Sequence, residues 1–152
     1  MKIINLNSEI NIRIIQYNSK EYKQAVQLRE NILRKPLGLK TTTKDIKNDC
    51  NEIIFGVFFN NSIIGVTHLA PLIDCHFKLR QMALAEKFQG KGIGKKLLNY
   101  VMKYAKEKDL KTIFLHAREN AIPFYEKSGF QCYSISFKEV GIAHKKMKII
   151  IS

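Results

Sequence analysis

Residues 79–98 read Leu-Arg-Gln-Met-Ala-Leu-Ala-Glu-Lys-Phe-Gln-Gly-Lys-Gly-Ile-Gly-Lys-Lys-Leu-Leu, and this stretch constrains the fold more than any other. An apolar, strand-like run feeds a tight glycine turn, and a basic helix with one apolar face follows at once. Gly90, Gly92 and Gly94 carry no Cβ, so the backbone can turn sharply and a ligand can approach it closely. The first N–H groups of the helix have no partner inside it, and such a helix start suits an anion. Lys91, Lys95 and Lys96 place positive charge beside it. The pattern predicts a strand–turn–helix unit that cradles a pyrophosphate. Spacing excludes two common cradles. A P-loop needs a hydroxyl after its lysine, and Gly94-Lys95 is followed by Lys96. A dinucleotide fingerprint needs G-x-G-x-x-G, and Leu97 or Lys95 stands where its last glycine belongs.

Gln89-Gly90-Lys91-Gly92-Ile93-Gly94 does fit Q/R-x-x-G-x-G/A. That resembles the acetyl-CoA loop of the GCN5-related N-acetyltransferases (GNAT). A second segment lies downstream in the expected order. Thr112 to Ala117 reads as a buried strand, and Ala121-Ile122-Pro123-Phe124-Tyr125-Glu126-Lys127-Ser128-Gly129-Phe130 is similar to the family's A-x-x-F-Y-E-K-x-G-F. Pro123 fits the first turn of a short helix, and Gly129 fits its left-handed stop. Two further segments resemble one bacterial branch. Leu28 to Gly38 is similar to L-R-x-x-V-L-R-x-P-L-G, and Phe137 to Met147 to the F-x-E-x-G-I-P-H-x-x-M ending of ElaA-like members, with Ala143 in place of the proline.

At 152 residues the chain has the length of one domain, and a single N-acetyltransferase domain over residues 1–152 is expected. No apolar run approaches the roughly 18 residues of a membrane span, and the N-terminal stretch lacks the apolar core of a signal peptide. Cys50, Cys75 and Cys132 are odd in number and form no C-x-x-C pair, which points to reduced thiols and a cytoplasmic setting. Abundant Lys, Ile and Asn suggest a bacterial source. The net charge of +13 raises the question of nucleic acid. The lysines are spread along the chain, with no arginine-rich arm, so nucleic acid is not the expected partner. A monomer or a homodimer is expected.

Alternation over residues 10–17 reads as the first strand, and Ser19 caps a helix over about 20–34 that Lys35-Pro36 ends. Thr42 or Thr43 caps a short helix. Strands are expected at 53–59 and 63–70 around a turn at Asn60-Asn61-Ser62, then at 76–85, 111–116, 130–137 and 142–151, with a long helix over 91–107. The fold class is α/β (α+β). The resemblance implies a mixed, mostly antiparallel seven-stranded sheet, splayed between strands 4 and 5 and flanked by about four helices.

The resemblance also implies roles. Met82, Ala83 and Leu84 lie along the pantetheine arm, and the Leu84 N–H polarises the thioester carbonyl. Gln89, Gly90, Lys91, Gly92, Ile93, Gly94 and Lys95 hold the pyrophosphate. Tyr125 contacts the cofactor and is the general acid, since a phenol of pKa about 10 is protonated at neutral pH. The family's asparagine seven positions before that tyrosine is Arg118 here, and Asn120 stands two residues on, so either contacts the cofactor. The positions where the family often carries a base hold Lys78 and Arg80. The remaining bases are His76, His116, His144, Glu86 and Glu139, and the context of His144 singles it out for catalysis and acceptor binding. Alternation along the strand places Arg80 on the face of Met82. With Arg29 and Arg34 it is expected to bind an anionic group of the acceptor. Four histidines and three cysteines show no metal-ligand spacing, so no metal is expected.

The expected activity is acetyl-CoA-dependent transfer to a primary amine, a small molecule with an anionic group, by direct attack in a ternary complex. The alternatives are a protein lysine or N-terminal acetyltransferase, and a catalytically silent acyl-CoA-binding module.

Overall fold

The structure, a computed structural model, describes residues 9–151; the expectation for the N-terminal stretch falls largely on residues 1–8, outside the described residues. The strands are β1 (Ile10–Ile15), β2 (Ile53–Phe59), β3 (Ser62–Pro71), β4 (His76–Leu84), β5 (Thr112–Arg118), β6 (Gln131–Cys132), β7 (Phe137–Glu139) and β8 (Ile142–Ile150). The α-helices are α1 (Lys20–Arg29), α2 (Thr43–Ile46), α3 (Ile93–Glu107) and α4 (Ile122–Glu126). The sheet runs β1-β2-β3-β4-β5-β8-β6, with β7 paired to β8. Pairing is antiparallel for β1 with β2 and for β8 with β5, β6 and β7. It is parallel between β4 and β5, where His76–Lys78 meet Thr112–Phe114 and both strands run on beyond the ladder. This is the GNAT fold expected from the sequence, with one strand more than expected.

Two compact units divide the described chain: one runs to His68 and takes in Gln81–Leu97, and the other takes in Leu69–Arg80 and Leu98 onward. In the first, α1 starts at Ser19, whose hydroxyl accepts from the Tyr22 N–H at 3.1 Å. Tyr22 and Ala25 recur at helical spacing and pack with Ile15, Ile54, Phe58, Val66 and Ala83. The α-helix stops at Arg29, short of the expected Arg34, and Glu30–Arg34 continue as a π turn. Pro36 has no N–H to give the carbonyl four residues back, and its ring crowds that carbonyl, so the chain widens before reaching it. Gly38 then closes the segment at φ 71°. Thr42 caps α2, in a capping box with Asp45.

In the second unit, Ile113, Leu115 and Ala117 of β5 are fully buried and alternate with half-buried Phe114, His116 and Arg118. The single strand expected over 130–137 is instead two pieces, β6 and β7. The reason lies in two serines: Ser134 Oγ accepts the Lys146 N–H at 2.9 Å in place of a ladder carbonyl, and the Ser136 hydroxyl donates to Glu119 at 2.7 Å.

Two-residue turns close both hairpins, and they differ in chemistry. Asn60 and Asn61 take φ 49° and 64°, the positive pair a type I′ turn requires, and asparagine tolerates it. Val140 and Gly141 take φ 46° and 76° between Glu139 and Ile142. A β-branched residue there is strained. Val140→Asn should therefore stabilise the protein by about 1 kcal/mol, read as a rise of several degrees in Tm; an unchanged or lower Tm would show that the turn carries no strain.

Candidate functional site

The glycine turn sits where β4 ends and α3 begins. Gly90 and Gly92 have φ 74° and 79°, and a Cβ built on either meets nothing within 4 Å. Their bare backbone therefore faces open space, and side chains there would be both strained and in the way. Ile93 and Gly94 are buried, anchoring the helix start, while Lys91 and Lys95 are exposed beside it. The first N–H groups of α3 lack partners inside the helix. These groups fit a diphosphate. Gln89 has another job: its backbone N–H is taken by the Glu86 carbonyl at 3.2 Å, and its side-chain amide donates to the Leu84 carbonyl at 3.0 Å. It braces the turn against the end of β4.

Along β4, Leu79 and Ala83 are buried while Met82 and Leu84 are half-buried. Gln81 takes φ 59°, the left-handed conformation of a bulge that re-aims the strand. Alternation cannot be carried across it, so the placing of Arg80 on the face of Met82 loses its basis. No sequence signal marks the bulge, because glutamine is not a residue that favours positive φ.

Arg29 and Arg34, both expected to meet the acceptor, hold carboxylates of this chain. Arg29 is buried, and its Nη1 donates to Asp49 Oδ2 at 2.7 Å. Tyr22 donates to the same oxygen at 2.7 Å. Arg34 donates to Asp45 at 3.0 Å. Their partners lie 20 and 11 residues away, beyond what local patterning reveals. Arg29 is thus a core residue, not an acceptor clamp. Arg80 is half-buried.

Asp49, Glu52 and His68 offer ligand atoms within 4.8 Å of one another, a grouping the sequence did not suggest. The Arg29 guanidinium already balances Asp49, and His68 Nδ1 is bonded to Glu52 at 2.9 Å. Burial lowers the His68 pKa, against the pull of Glu52. The group reads as a charge-paired network of the core rather than a metal centre.

In the second unit, Pro123 lies in the first turn of α4, and Tyr125 is 8% exposed between the rings of Phe124 and Phe130, each edge-on. Burial pushes its phenol up to about 12. It keeps its proton throughout the physiological range, so it can donate but cannot serve as a base. Gly129, at φ 99°, lets the chain turn back, and a Cβ there would press on Ile149 at 3.1 Å. Asn120 is exposed in the turn before α4, and Arg118 is half-buried at the end of β5.

Three of the five remaining bases come together on one face of the same unit. The registers put Arg118 opposite His144, His116 opposite Lys146, and Phe137 opposite His144. His144 is 4% exposed, and its Nδ1 lies 2.7 Å from the Ile142 carbonyl oxygen. A carbonyl only accepts, so Nδ1 carries the hydrogen and Nε2 of the neutral ring carries the lone pair. Nε2 lies 3.7 Å from Glu139 Oε2. The other carboxylate oxygen, Oε1, accepts from His116 Nδ1 at 2.9 Å. Lys78 Nζ is 3.5 Å from that same nitrogen. Burial pushes the Glu139 carboxyl up, but the His116 bond and charge, with Lys78 and His144, outweigh it and hold the group below its ordinary value. Of the other bases, His76 packs against Phe114 and Glu86 lies in an exposed turn. The Glu139 contacts were readable only with the Val140-Gly141 hairpin, and valine masks that turn.

Residues 19–151 match the family model described as acetyltransferase (GNAT) domain. YyaT of Bacillus subtilis is 31% identical over 107 residues, covering 70% of each chain. The structure of a putative N-acetyltransferase from Lactobacillus plantarum superposes with a TM-score of 0.84 at 18% identity, covering 94% of this chain and 99% of that one. Escherichia coli ElaA superposes at 0.80 and 17% identity, covering 91% and 98%. Solved relatives in the family hold coenzyme A or acetyl-CoA. A glycine turn open to an anion, a buried protonated tyrosine and this match over most of the chain lead to one conclusion: the chain belongs to the GNAT family of N-acetyltransferases.

Proposed function

We propose that residues 1–152 form one cytoplasmic domain that moves an acetyl group from acetyl-CoA to a primary amine by direct attack. The observation that carries this reading is the pair Gly90 and Gly92, left-handed and facing open space at the start of a 15-residue helix. Acetyl-CoA supplies an activated acyl group and a thiolate leaving group. The chain supplies the rest. Backbone N–H groups from Lys91 to Lys95 receive the diphosphate, with the lysine charges beside them. Met82, Ala83 and Leu84 lie along the pantetheine arm, and the Leu84 N–H stabilises charge on the carbonyl oxygen. Tyr125 gives its proton to the departing sulfur. His144 takes the proton of the amine at Nε2. Asn120 or Arg118 adds a cofactor contact.

The acceptor is a small amine that also carries an anionic group, received by Arg80. Arginine stays charged at all working pH values and grips a carboxylate with two hydrogen bonds. A screen of amines, amino acids and peptides with acetyl-CoA and thiol detection tests the reading as a whole.

Gly92→Val should weaken acetyl-CoA binding more than tenfold in calorimetry; unchanged affinity in the folded variant would remove the cradle. Tyr125→Phe deletes one proton donor and almost no volume. It should keep cofactor affinity and lower turnover by ~10²-fold or more, the usual worth of a general acid. Unaltered kcat with chemistry rate-limiting would make the tyrosine structural. Arg80→Gln should raise KM for acidic amines about tenfold or more and leave KM for uncharged amines alone. An uncharged amine as the best acceptor of both wild type and variant would end the anion-binding role.

A further inference from the structure

Glu139 stands between two imidazoles and uses its two oxygens differently. Oε1 is fixed by His116 Nδ1–H at 2.9 Å. Oε2 lies 3.7 Å from His144 Nε2, too far for a direct hydrogen bond. Both atoms are acceptors in that state: one is a carboxylate oxygen, the other a lone pair whose orientation is set by the Nδ1–H bond to Ile142. Two acceptors at this separation are the complement of one nitrogen with several hydrogens, which can reach both at about 2.8 Å. The Glu139 side chain is 45% exposed and that of His144 5%, so it is the carboxylate side of the pair that meets solvent. The Phe137 ring backs both imidazoles, at 5.1 Å from His116 and 6.0 Å from His144. The charged groups around the pair are Lys78 of β4, His116 and Arg118 of β5, and Lys146 of β8.

We propose that Glu139 Oε2 and His144 Nε2 together form the seat for the acceptor's primary ammonium group, with Glu139 binding its charge and His144 taking its proton. The proposal rests on the reading of the chain as an N-acetyltransferase in which His144 is the base. The step balances simply. One N–H bond of the ammonium breaks and an Nε2–H bond forms, leaving a lone pair on the amine nitrogen for attack on the acyl carbon. The imidazolium, its charge balanced by the ionised Glu139 nearby, then releases its Nε2 proton to solvent. Glu139 is suited to anchoring and not to abstracting, because its neighbours keep it ionised. His116 is a positioning residue that acts through Glu139.

The test uses the free protein with ¹⁵N-labelled histidines. Ethylammonium chloride is titrated in, with potassium chloride at matched ionic strength as control, and His144 Nε2 is followed by NMR. The expected result is a saturable displacement in wild type that potassium does not produce. Glu139→Gln should weaken it at least tenfold, and Glu139→Asp should restore part of it. A resonance that moves alike in wild type and Glu139→Gln, or stays still in both, overturns the seat. A kinetic arm separates this from the underlying reading. With the amine found by screening, Glu139→Gln should raise KM for the amine at least tenfold and leave KM for acetyl-CoA unchanged. Full turnover in His144→Gln overturns the base assignment while the titration still decides the seat. Loss of turnover in His144→Gln with an unresponsive wild-type resonance overturns the seat and leaves the base standing.

Discussion

The buried contact between Arg29 and Asp49 organises the first unit. Asp49 Oδ2 receives the guanidinium and the Tyr22 hydroxyl, both at 2.7 Å, and so ties the first and last buried positions of α1 to the turn before β2. Placing two ions out of water costs several kcal/mol each before their attraction returns it. The pair is therefore weak evidence of net stability. Removing one partner is another matter, since it strands a buried charge at a cost of about 3–5 kcal/mol. The pair thus fixes which residues can be exchanged at this position. His68 and Glu52 extend the network on the far side of Asp49, and burial disfavours a charge on His68 despite its acidic neighbours. A motif arginine that looked suited to an acceptor is in this way bound into the scaffold.

How much was legible in the sequence follows from the range of the interactions involved. The glycine turn and the Tyr125 segment were legible because each is a local device. Residues that permit positive φ, a helix start and a glycine stop all lie within a dozen positions. The hairpin at Asn60-Asn61 was legible for the same reason. The ion pairs of Arg29 and Arg34 were not legible because their carboxylates are distant in the chain, so nothing beside them signalled engagement. The break between β6 and β7 was hidden because apolar and aromatic residues over 130–137 suit a strand, and the Ser134 and Ser136 hydroxyls that interrupt it bond to residues distant in the chain. The Gln81 bulge is the sharpest case. Alternation is a rule about unbroken strands, and one residue at φ 59° cancels it.

The Val140-Gly141 turn shows the opposite relation between local preference and structure. Valine opposes positive φ, yet the antiparallel register on both sides holds it there. That register sets Phe137 opposite His144 and brings Glu139 back over the same face. Strain in one turn residue is tolerated because the flanking pairs over-determine the backbone. The consequence is chemical: a carboxylate and two imidazoles, drawn from β5, β7 and β8, meet without any local motif.

Environment sets two ionisable groups of this second unit apart. Tyr125 is enclosed by aromatic rings and lacks a charge to stabilise a phenolate, so burial alone moves it to about 12. Glu139 is partly solvated and faces three nitrogen-bearing side chains, so its anion prevails over the burial that opposes it. The two groups are displaced in opposite directions from their ordinary values, so a proton donor and an anion persist in the same unit at the same pH. The sign of the pH dependence follows. Glu139 has its folded pKa depressed, so its ion pairing is present above the ordinary carboxylate range and fades as pH falls through the lowered value. The Tyr125 proton is secure from there up to strongly alkaline pH. Between those limits neither group titrates in the free protein.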